Sequence, residues 1–102
     1  MTDNMFVYCF DIDDTILFSG IDENGEYFLT GKNERLISEI NKLYDNGCTI
    51  IIYTGRHWNH LRITIEQLRD AGVKHHTVVC GKPVADVYVD DRAVTPWDFL
   101  GD

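Results

Sequence analysis

The chain lacks the features that mark membrane, secreted and nucleic-acid-binding proteins. Among its 102 residues, no apolar run approaches the ~20 residues that span a bilayer, and Met1–Met5 does not resemble a secretory signal. Positive charge is scarce, since nine Lys and Arg stand against 17 Asp and Glu, for a formal net charge of −8. Without a basic stripe to neutralise phosphates, no broad nucleic-acid-binding face is expected. We therefore expect a cytoplasmic protein that binds neither membranes nor nucleic acid.

Cysteine is also scarce, and its placement favours a structural role. Cys9, Cys48 and Cys80 each fall within or beside a predicted strand, and no two have CxxC spacing. We expect all three to be small, buried apolar side chains in a reducing compartment. No feature of the sequence supports a catalytic role for Cys80.

The composition is that of one small folded domain. Hydrophobic residues make up 44% and aromatic residues 12% of the chain, which is ordinary for a globular protein. There is no internal repeat, low-complexity segment or long linker. Residues 1–102 are therefore predicted to form a single domain.

Four short apolar runs each end in reactive polar residues. The runs are Phe6–Phe10, Thr49–Tyr53, His76–Cys80 and Asp86–Val89, followed in turn by Asp11-Ile-Asp13-Asp14-Thr15, Thr54-Gly55-Arg56, Gly81-Lys82-Pro83 and Asp90-Asp91. Their length and their Val, Ile, Phe and Tyr content predict buried strands. Helical patterns lie between them, so we expect a parallel sheet whose carboxyl ends gather the four polar clusters at one edge.

The segments between the strands predict a hairpin and two helices. Apolar stretches around Asn24-Gly25 indicate a hairpin or flap at about residues 16–30. A helical stripe follows, beginning after Thr30 or Asn33 and stopping at Asn46-Gly47; its members are Leu36, Ile37, Ile40, Leu43 and Tyr44. The second stripe consists of Trp58, Leu61, Ile65 and Leu68. The apolar tail, Pro96–Leu100, is expected either to pack over the core or to form a dimer contact.

Asp11 and Asp13 favour a magnesium site. Residues two apart on an extended backbone point the same way, and two unit charges about 4 Å apart at an effective dielectric near 20 repel by about 4 kcal/mol. Such a pair persists only with a cation or with protons. Few, hard oxygen ligands suit Mg²⁺, which keeps waters and takes one or two carboxylates plus substrate phosphate. The alternative is an acidic surface turn, which would not explain the other strand ends.

Two other acidic sites fit less well. An EF-hand calcium loop beginning at Asp11 needs Gly at its sixth position and Glu at its twelfth, where this chain has Ile16 and Asp22. A two-component receiver domain places its acidic pair after the first strand, whereas here the pair, Asp90-Asp91, comes last.

The order of the four clusters resembles the haloacid dehalogenase-like superfamily of phosphatases and phosphotransferases. Its signatures are matched by Asp11-Ile-Asp13-Asp14-Thr15, by Thr54, by Lys82 and by Asp90-Asp91. The resemblance implies a three-layer α/β/α, Rossmann-like fold, a required Mg²⁺ and an aspartyl-phosphate intermediate. Neither gap between the first three signatures has room for a cap domain, so the chain resembles the capless subgroup.

The resemblance also implies a role for each matched residue. Asp11 is expected to be the nucleophile, and Asp13 a general acid and base whose pKa its carboxylate neighbours raise. Thr54 and Lys82 would hold the phosphoryl oxygens. Apart from the resemblance, Arg56 lies two residues beyond Thr54, so it is expected, with Gly55, at the border of the substrate. The metal ligands would be Asp11, the main-chain carbonyl of Asp13, and Asp90, with Asp91 either a ligand or an outer support.

Two residues near the site have structural interpretations. Arg56 is alternatively expected to form a salt bridge with one of the acids, and Thr15 is expected to form a hydrogen bond within its own turn.

The expected activity is Mg²⁺-dependent hydrolysis of a phosphomonoester, with a sugar phosphate as the first substrate class. The alternatives are a non-catalytic metal-binding regulatory module and a phosphotransferase. The flap, a neighbouring subunit in a homo-oligomer, or the substrate itself would then shield the site.

Overall fold

The computed structural model describes residues 6–101; Met1–Met5, where no signal segment was expected, lies outside the described residues. The elements in chain order are β1 (Val7–Phe10), β2 (Leu17–Ile21), β3 (Tyr27–Lys32), α1 (Glu34–Asp45), β4 (Thr49–Tyr53), a 3₁₀ turn (Trp58–His60), α2 (Leu61–Asp70), β5 (Thr77–Val79) and α3 (Pro96–Leu100). No helix among residues 6–101 is long and apolar enough to cross a membrane.

Three strands form a parallel sheet in the order β1-β4-β5. Val7 pairs with Thr49 and Ile51 with Thr77, so the carboxyl ends of all three strands lie at the same edge. Together with its flanking helices this confirms the expected α/β fold, and within residues 6–101 no cap domain interrupts it. The parallel pairing therefore brings the polar residues after β1, β4 and β5 to one edge, as predicted for these three strands.

One face of the sheet carries the core. Phe10, Ile50 and Ile52 are buried there with the apolar face of α1. Side chains alternate between the faces of a strand, so Val7 and Cys9 project to the other side. The prediction that all three cysteines are buried is wrong for Cys9, which is exposed, and right for Cys48 and Cys80.

Helix α1 follows its predicted stripe. Leu36, Ile37 and Ile40 are buried. The side-chain oxygen of Asn33 accepts a hydrogen bond from the backbone N–H of Leu36 at 3.1 Å, so Asn33 rather than Thr30 is the cap. The helix ends before Asn46.

Helix α2 is rotated relative to its predicted stripe. Trp58 belongs to the preceding 3₁₀ turn and, like Ile65, is exposed. Leu68 is buried as predicted, but the other buried residues of the helix are Thr64 and Gln67. Two polar residues face inward because the buried Arg56 guanidinium requires hydrogen-bond acceptors there.

The predicted hairpin is confirmed. Strands β2 and β3 pair antiparallel, with a register irregularity between Phe18 and Ser19. The backbone N–H of Asn33 donates to the carbonyl of Ile16 at 2.8 Å, which ties the base of the hairpin to the start of α1.

The fourth predicted strand, Asp86–Val89, is wrong. The segment forms no strand, and Val87 and Val89 are 74% and 97% exposed. Instead of pairing with the sheet it makes local hydrogen bonds, in which the Tyr88 hydroxyl donates to the carbonyl of Pro83 and accepts from the N–H of Ala85. The segment therefore pairs with no strand, although its residues alternate as in a strand.

The tail packs against the core, as one of its two interpretations predicted. Thr95 caps α3 through its hydroxyl, which accepts from Asp98 N–H at 3.1 Å. The Phe99 ring meets the rings of Phe10 and Tyr8 edge-on, with centroids 5.4 and 6.1 Å away. Trp97 on the same helix stays exposed.

Candidate active site

Three of the four predicted strand ends come together around Asp11. Lys82 Nζ lies 3.8 Å from Asp11 Oδ1. The Lys82 segment is held to the end of β4 because its N–H donates to the carbonyl of Thr54 at 2.9 Å, while Thr54 N–H donates to the carbonyl of Val79 at the same distance. A carboxylate, an ammonium group and a buried threonine thus meet at the carboxyl edge of the sheet.

Residues 11–15, here called the acidic loop, turn sharply after β1. Asp14 has φ 61°, in the left-handed region that Asp tolerates better than most residues. Ile12 is fully buried, whereas Asp11 and Asp13 on either side of it are partly exposed, as the spacing of two predicts. Thr15 Oγ1 donates to Asp11 Oδ2 at 3.2 Å, which confirms the predicted bond within the turn.

Arg56 is turned away from solvent and toward Asp13. It is only 1% exposed. Its Nε donates to Asp13 Oδ2 at 3.0 Å and its Nη2 to Asp13 Oδ1 at 2.8 Å, a bidentate pair. Its Nη1 donates to Thr64 Oγ1 at 3.1 Å and to Gln67 Oε1 at 2.8 Å. The salt bridge is thus the interpretation that the structure favours, and substrate binding by Arg56 is not supported by this arrangement.

The pKa values of the two acids are pushed apart. Burial raises the pKa of Asp11 above its ordinary value, although the charge of Lys82 and the hydrogen bonds from Ile12 N–H and Thr15 oppose it. Burial would also raise the pKa of Asp13, but the hydrogen bonds from Arg56 and Ser19 and the charge of Arg56 outweigh it and leave the pKa lowered. The expectation that carboxylate neighbours raise the pKa of Asp13 is therefore wrong, because Arg56 dominates.

Asp90 and Asp91 lie outside this cluster. Both are exposed, as the segment that would have carried them to the sheet forms no strand. Asp90 Oδ1 accepts from Arg92 N–H at 2.8 Å, and Asp91 Oδ2 lies 3.9 Å from Arg92 Nε. In the part of the chain that the structure describes, no three His, Cys, Asp or Glu side chains are grouped to hold a metal ion.

The acids at the sheet edge nevertheless fit part of a magnesium site. Asp11 offers a partly exposed carboxylate of hard oxygens, the donor type that Mg²⁺ prefers. The Asp13 carboxylate is occupied by Arg56 and Ser19. The side chain is therefore engaged, and metal binding by the main-chain carbonyl of Asp13 stays a prediction.

Aromatic rings and tight backbone surround Lys82. Its Nζ lies 4.7 Å from the centre of the Tyr88 ring and 5.8 Å from that of Tyr53, both within cation–π range. At the neighbouring Gly55, which the sequence placed at the border of the substrate, an added Cβ would lie 3.1 Å from Val84 Cγ2. The segment after Lys82 therefore passes directly over Gly55.

Sequence reasoning missed four residues that contact the site: Ser19, Tyr27, Thr64 and Gln67. Ser19 Oγ donates to Asp13 Oδ1 at 2.7 Å, and the Tyr27 ring covers the Arg56 guanidinium. Ser19 and Tyr27 lie in the hairpin, where polar and aromatic residues carry no spacing signal. Thr64 and Gln67 lie three apart on one face of α2, but two polar side chains at that spacing predict an exposed face rather than a buried one.

Comparisons with solved structures support the fold. A structural-genomics target from Vibrio cholerae, whose name states no activity, superposes with a TM-score of 0.75 at 23% identity, covering 96% of this chain and 89% of the other. A protein from Vibrio cholerae provisionally named a 3-deoxy-D-manno-octulosonate 8-phosphate phosphatase gives a TM-score of 0.53 at 18% identity, covering 78% of this chain and 43% of its own.

A protein from Pseudomonas syringae pv. phaseolica, provisionally named a YrbI family phosphatase, gives a TM-score of 0.55 at 22% identity. The match covers 78% of this chain and 47% of the other. This chain therefore spans less than half of each named phosphatase. No protein-family model matches the chain, and no curated protein matches it significantly. At these identities the likeness shows the fold alone.

Proposed function

We propose that this chain is a Mg²⁺-dependent phosphatase that hydrolyses a phosphomonoester, with Asp11 as its nucleophile. The observation that carries the proposal is the approach of Lys82 Nζ to Asp11 Oδ1, 3.8 Å, at a sheet edge that also holds Thr54. A partly exposed carboxylate beside an ammonium group is suited to attack phosphorus while the positive charge attracts the phosphoryl oxygens. The names of two structural neighbours are consistent with this chemistry.

The first step uses Asp11. One of its oxygens attacks phosphorus, the bond to the leaving oxygen breaks, and an aspartyl-phosphate forms. Lys82 and Thr54 bind the phosphoryl oxygens, whose negative charge is spread during transfer. Lys82 also favours the ionised form of Asp11, which burial alone disfavours.

Asp13 acts as the general acid and then as the general base. It gives a proton to the leaving oxygen in the first step and, as the carboxylate, takes one from the water that hydrolyses the intermediate. Its hydrogen bonds from Arg56 and Ser19 stabilise the ionised form. The arrangement in the structure is therefore the one suited to the second step.

Mg²⁺, when bound, would supply positive charge that draws phosphate oxygens to Asp11 and stabilises its ionised form. The residues to hold it are Asp11, the Asp13 carbonyl and, as a further proposal, Asp90 with Asp91. For Asp90 to take part, the exposed segment that contains it has to approach the sheet edge.

The proposed substrate is a phosphorylated sugar, handled in the cytoplasm without nucleic acid or membrane. Support for the sugar comes from the neighbour named for an octulosonate 8-phosphate. The net charge of −8 disfavours polynucleotide substrates. Exposed Trp97 on α3 is a contact that a homo-oligomer could use, and gel filtration would test it.

A phosphatase assay with matched variants tests the proposal. Purified protein is incubated with p-nitrophenyl phosphate in Mg²⁺ or in EDTA, together with Asp11→Asn and the control Asp14→Asn. Asp14 lies in the same loop but is exposed, and Asn also tolerates its backbone conformation. We expect hydrolysis that needs Mg²⁺, is lost in Asp11→Asn and is retained in Asp14→Asn. Hydrolysis that persists in EDTA or in Asp11→Asn would contradict the mechanism.

Two rival functions remain distinguishable. The Arg56–Asp13 pair, which stabilises the ionised form of the proposed acid, favours a non-catalytic metal-binding module as the second candidate. That candidate predicts Mg²⁺ binding without hydrolysis of any phosphorylated metabolite in a screen. A phosphotransferase would instead give phosphorylated alcohol when an alcohol is added as a competing acceptor.

A further inference from the structure

Arg56 connects the β2–β3 hairpin to the Asp13 carboxylate. The carbon at the centre of its guanidinium lies 4.1 Å from the centre of the Tyr27 ring on β3, while the same group forms the bidentate pair with Asp13. Gln67 closes the arrangement, since its Oε1 accepts from Arg56 and its Nε2 donates to the main-chain oxygen of Tyr27 at 3.3 Å. One buried side chain therefore contacts the acidic loop, α2 and the hairpin.

The other strand of the hairpin reaches Asp13 directly. Ser19 on β2 follows the register irregularity, and its hydroxyl donates to Asp13 Oδ1 at 2.7 Å. Both strands of the hairpin thus hold the same carboxylate, β2 through a hydrogen bond and β3 by way of Arg56. A two-stranded hairpin alone is only marginally stable in water, so these contacts also determine where the hairpin lies.

We propose that the hairpin sets the orientation of the Asp13 carboxylate, with Ser19, Tyr27 and Arg56 as positioning residues for proton transfer at Asp13. The inference rests on the proposed function. In the step concerned, the bond between phosphorus and the leaving oxygen breaks, the electron pair stays on that oxygen, and the proton of Asp13 moves to it. Asp13 is left as a carboxylate, the form that Arg56 and Ser19 bind.

The dependence on the leaving group separates positioning from general damage. An alkyl alcohol leaves phosphorus poorly as an anion and needs the proton, whereas p-nitrophenolate is a stable anion and leaves without one. A misplaced proton donor therefore slows hydrolysis of an alkyl phosphate much more than that of p-nitrophenyl phosphate. A merely structural defect lowers the amount of active protein and slows both equally.

The variants are Tyr27→Ala and Ser19→Ala, both at half-buried positions rather than in the core. Tyr27→Phe keeps the ring over Arg56 and is the matched control. Tyr44→Ala is a second control, because it removes a half-buried ring of α1 that stacks on His76. His76 precedes β5, so this ring lies toward the amino edge of the sheet, opposite the edge that carries the site. Circular dichroism and thermal unfolding of each variant show whether it is folded.

Kinetics with glycerol 3-phosphate and p-nitrophenyl phosphate give the result. General acid–base groups contribute roughly 10²–10⁴-fold, so we expect loss of positioning to lower kcat/KM for the alkyl ester by about 10-fold or more. We compare kcat/KM because it reports the steps up to departure of the leaving group, whereas kcat also includes hydrolysis of the aspartyl-phosphate, which both substrates share. The kcat/KM for p-nitrophenyl phosphate should fall by a much smaller factor, because its leaving group needs no proton. Tyr27→Phe and Tyr44→Ala should leave the ratio of the two rates unchanged.

Equal losses of kcat/KM on both substrates, or no loss in either Tyr27→Ala or Ser19→Ala, would overturn the inference and leave the proposed function standing. If the wild type shows no hydrolysis that depends on Asp11, both the inference and the proposed function are overturned. Asp13 would then have no proton transfer to perform. Ser19→Ala removes only a hydroxyl, so it keeps the test decisive if Tyr27→Ala does not fold.

Discussion

Replacing Arg56 by Met is expected to destabilise the protein severely. The substitution keeps an unbranched side chain of similar length but removes the charge and every N–H. The Asp13 carboxylate loses a bidentate partner, and buried Thr64 and Gln67 lose the donor that they share. The fully buried guanidinium and the largely shielded carboxylate have side-chain exposures of 0% and 32%.

The size of the effect follows from that burial. Breaking a buried pair by removing one partner costs 3–5 kcal/mol, and the remaining exposure of Asp13 places this case near the lower end, at about 3 kcal/mol. A domain of this size is stable by about 5–15 kcal/mol. At roughly 4–8 °C per kcal/mol, the melting temperature should fall by about 12–24 °C.

The same substitution at an exposed position provides the control. Arg62 lies on α2 with its side chain 95% exposed, and its Nε is 3.7 Å from Glu66 Oε2 one turn later. Such i,i+4 pairs contribute about 0.3–0.5 kcal/mol, so Arg62→Met should be close to wild type. Urea unfolding followed by circular dichroism gives both free energies, and an unchanged slope against urea shows that the variants are comparable.

The pH dependence tests the electrostatic part of the reasoning. The pKa of Asp13 is lower in the folded than in the unfolded protein. Its contribution to stability is therefore present above the unfolded pKa of about 3.9 and is lost as the pH falls through the lower folded pKa. The deficit of Arg56→Met should be full at neutral pH and should shrink below about pH 4. A deficit like that of Arg62→Met, or one independent of pH, would refute this account of Arg56.

Three further outcomes are expected. Because the folded pKa of Asp11 is raised, the ionised carboxylate opposes folding, and stability falls as the pH rises from the ordinary pKa to the raised one; Asp11→Asn should therefore raise the melting temperature at pH 7 but not at about pH 3, and a lower melting temperature at pH 7 would contradict this. Mg²⁺ at 100 times its dissociation constant should stabilise the wild type by about 2.7 kcal/mol; Asp11→Asn and Asp90→Asn should lose this increase in a thermal scan and exposed Asp86→Asn should keep it, whereas an increase retained by Asp90→Asn would exclude Asp90 as a ligand. Asn33→Ala removes the cap of α1 and should cost about 1 kcal/mol in urea unfolding, and an unchanged midpoint would show that the bond to Leu36 N–H contributes nothing.

The sequence was sufficient for elements whose own residues decide them. Strand β4 has the predicted bounds, Thr49–Tyr53, because an unbroken β-branched and aromatic run between turn residues suits a buried central strand. Helix α1 combined a clear stripe with a cap, and the structure bears out both. The meeting of Asp11 with Lys82 was predictable because parallel strands bring their carboxyl ends to one edge.

The sequence was insufficient where a partner decides the outcome. The stripe predicted for α2 counted Trp58 and Ile65 as buried because periodicity registers apolar residues only. The buried face is instead set by Arg56, because Thr64 and Gln67 accept hydrogen bonds from its guanidinium. A pattern of hydrophobic residues does not register such a polar pair. The spacing of Asp11 and Asp13 likewise says nothing about which one a distant arginine will pair with.

The fourth strand shows the same dependence on a partner. Asp86–Val89 has the alternation of a strand, but an extended segment is stabilised by hydrogen bonds and packing supplied by its neighbour, and alternation does not supply them. In the structure Val87 and Val89 face solvent, so their apolar surface contributes nothing to folding.

Docking this segment, residues 86–91, beside the sheet would bury both valines and carry Asp90 toward the carboxyl edge where Asp11 lies. A metal bound between Asp11 and Asp90 would favour that docked state by its binding free energy. Mg²⁺ should therefore slow amide hydrogen exchange across residues 86–91, and unchanged exchange at saturating Mg²⁺ would mean that this segment takes no part in the site.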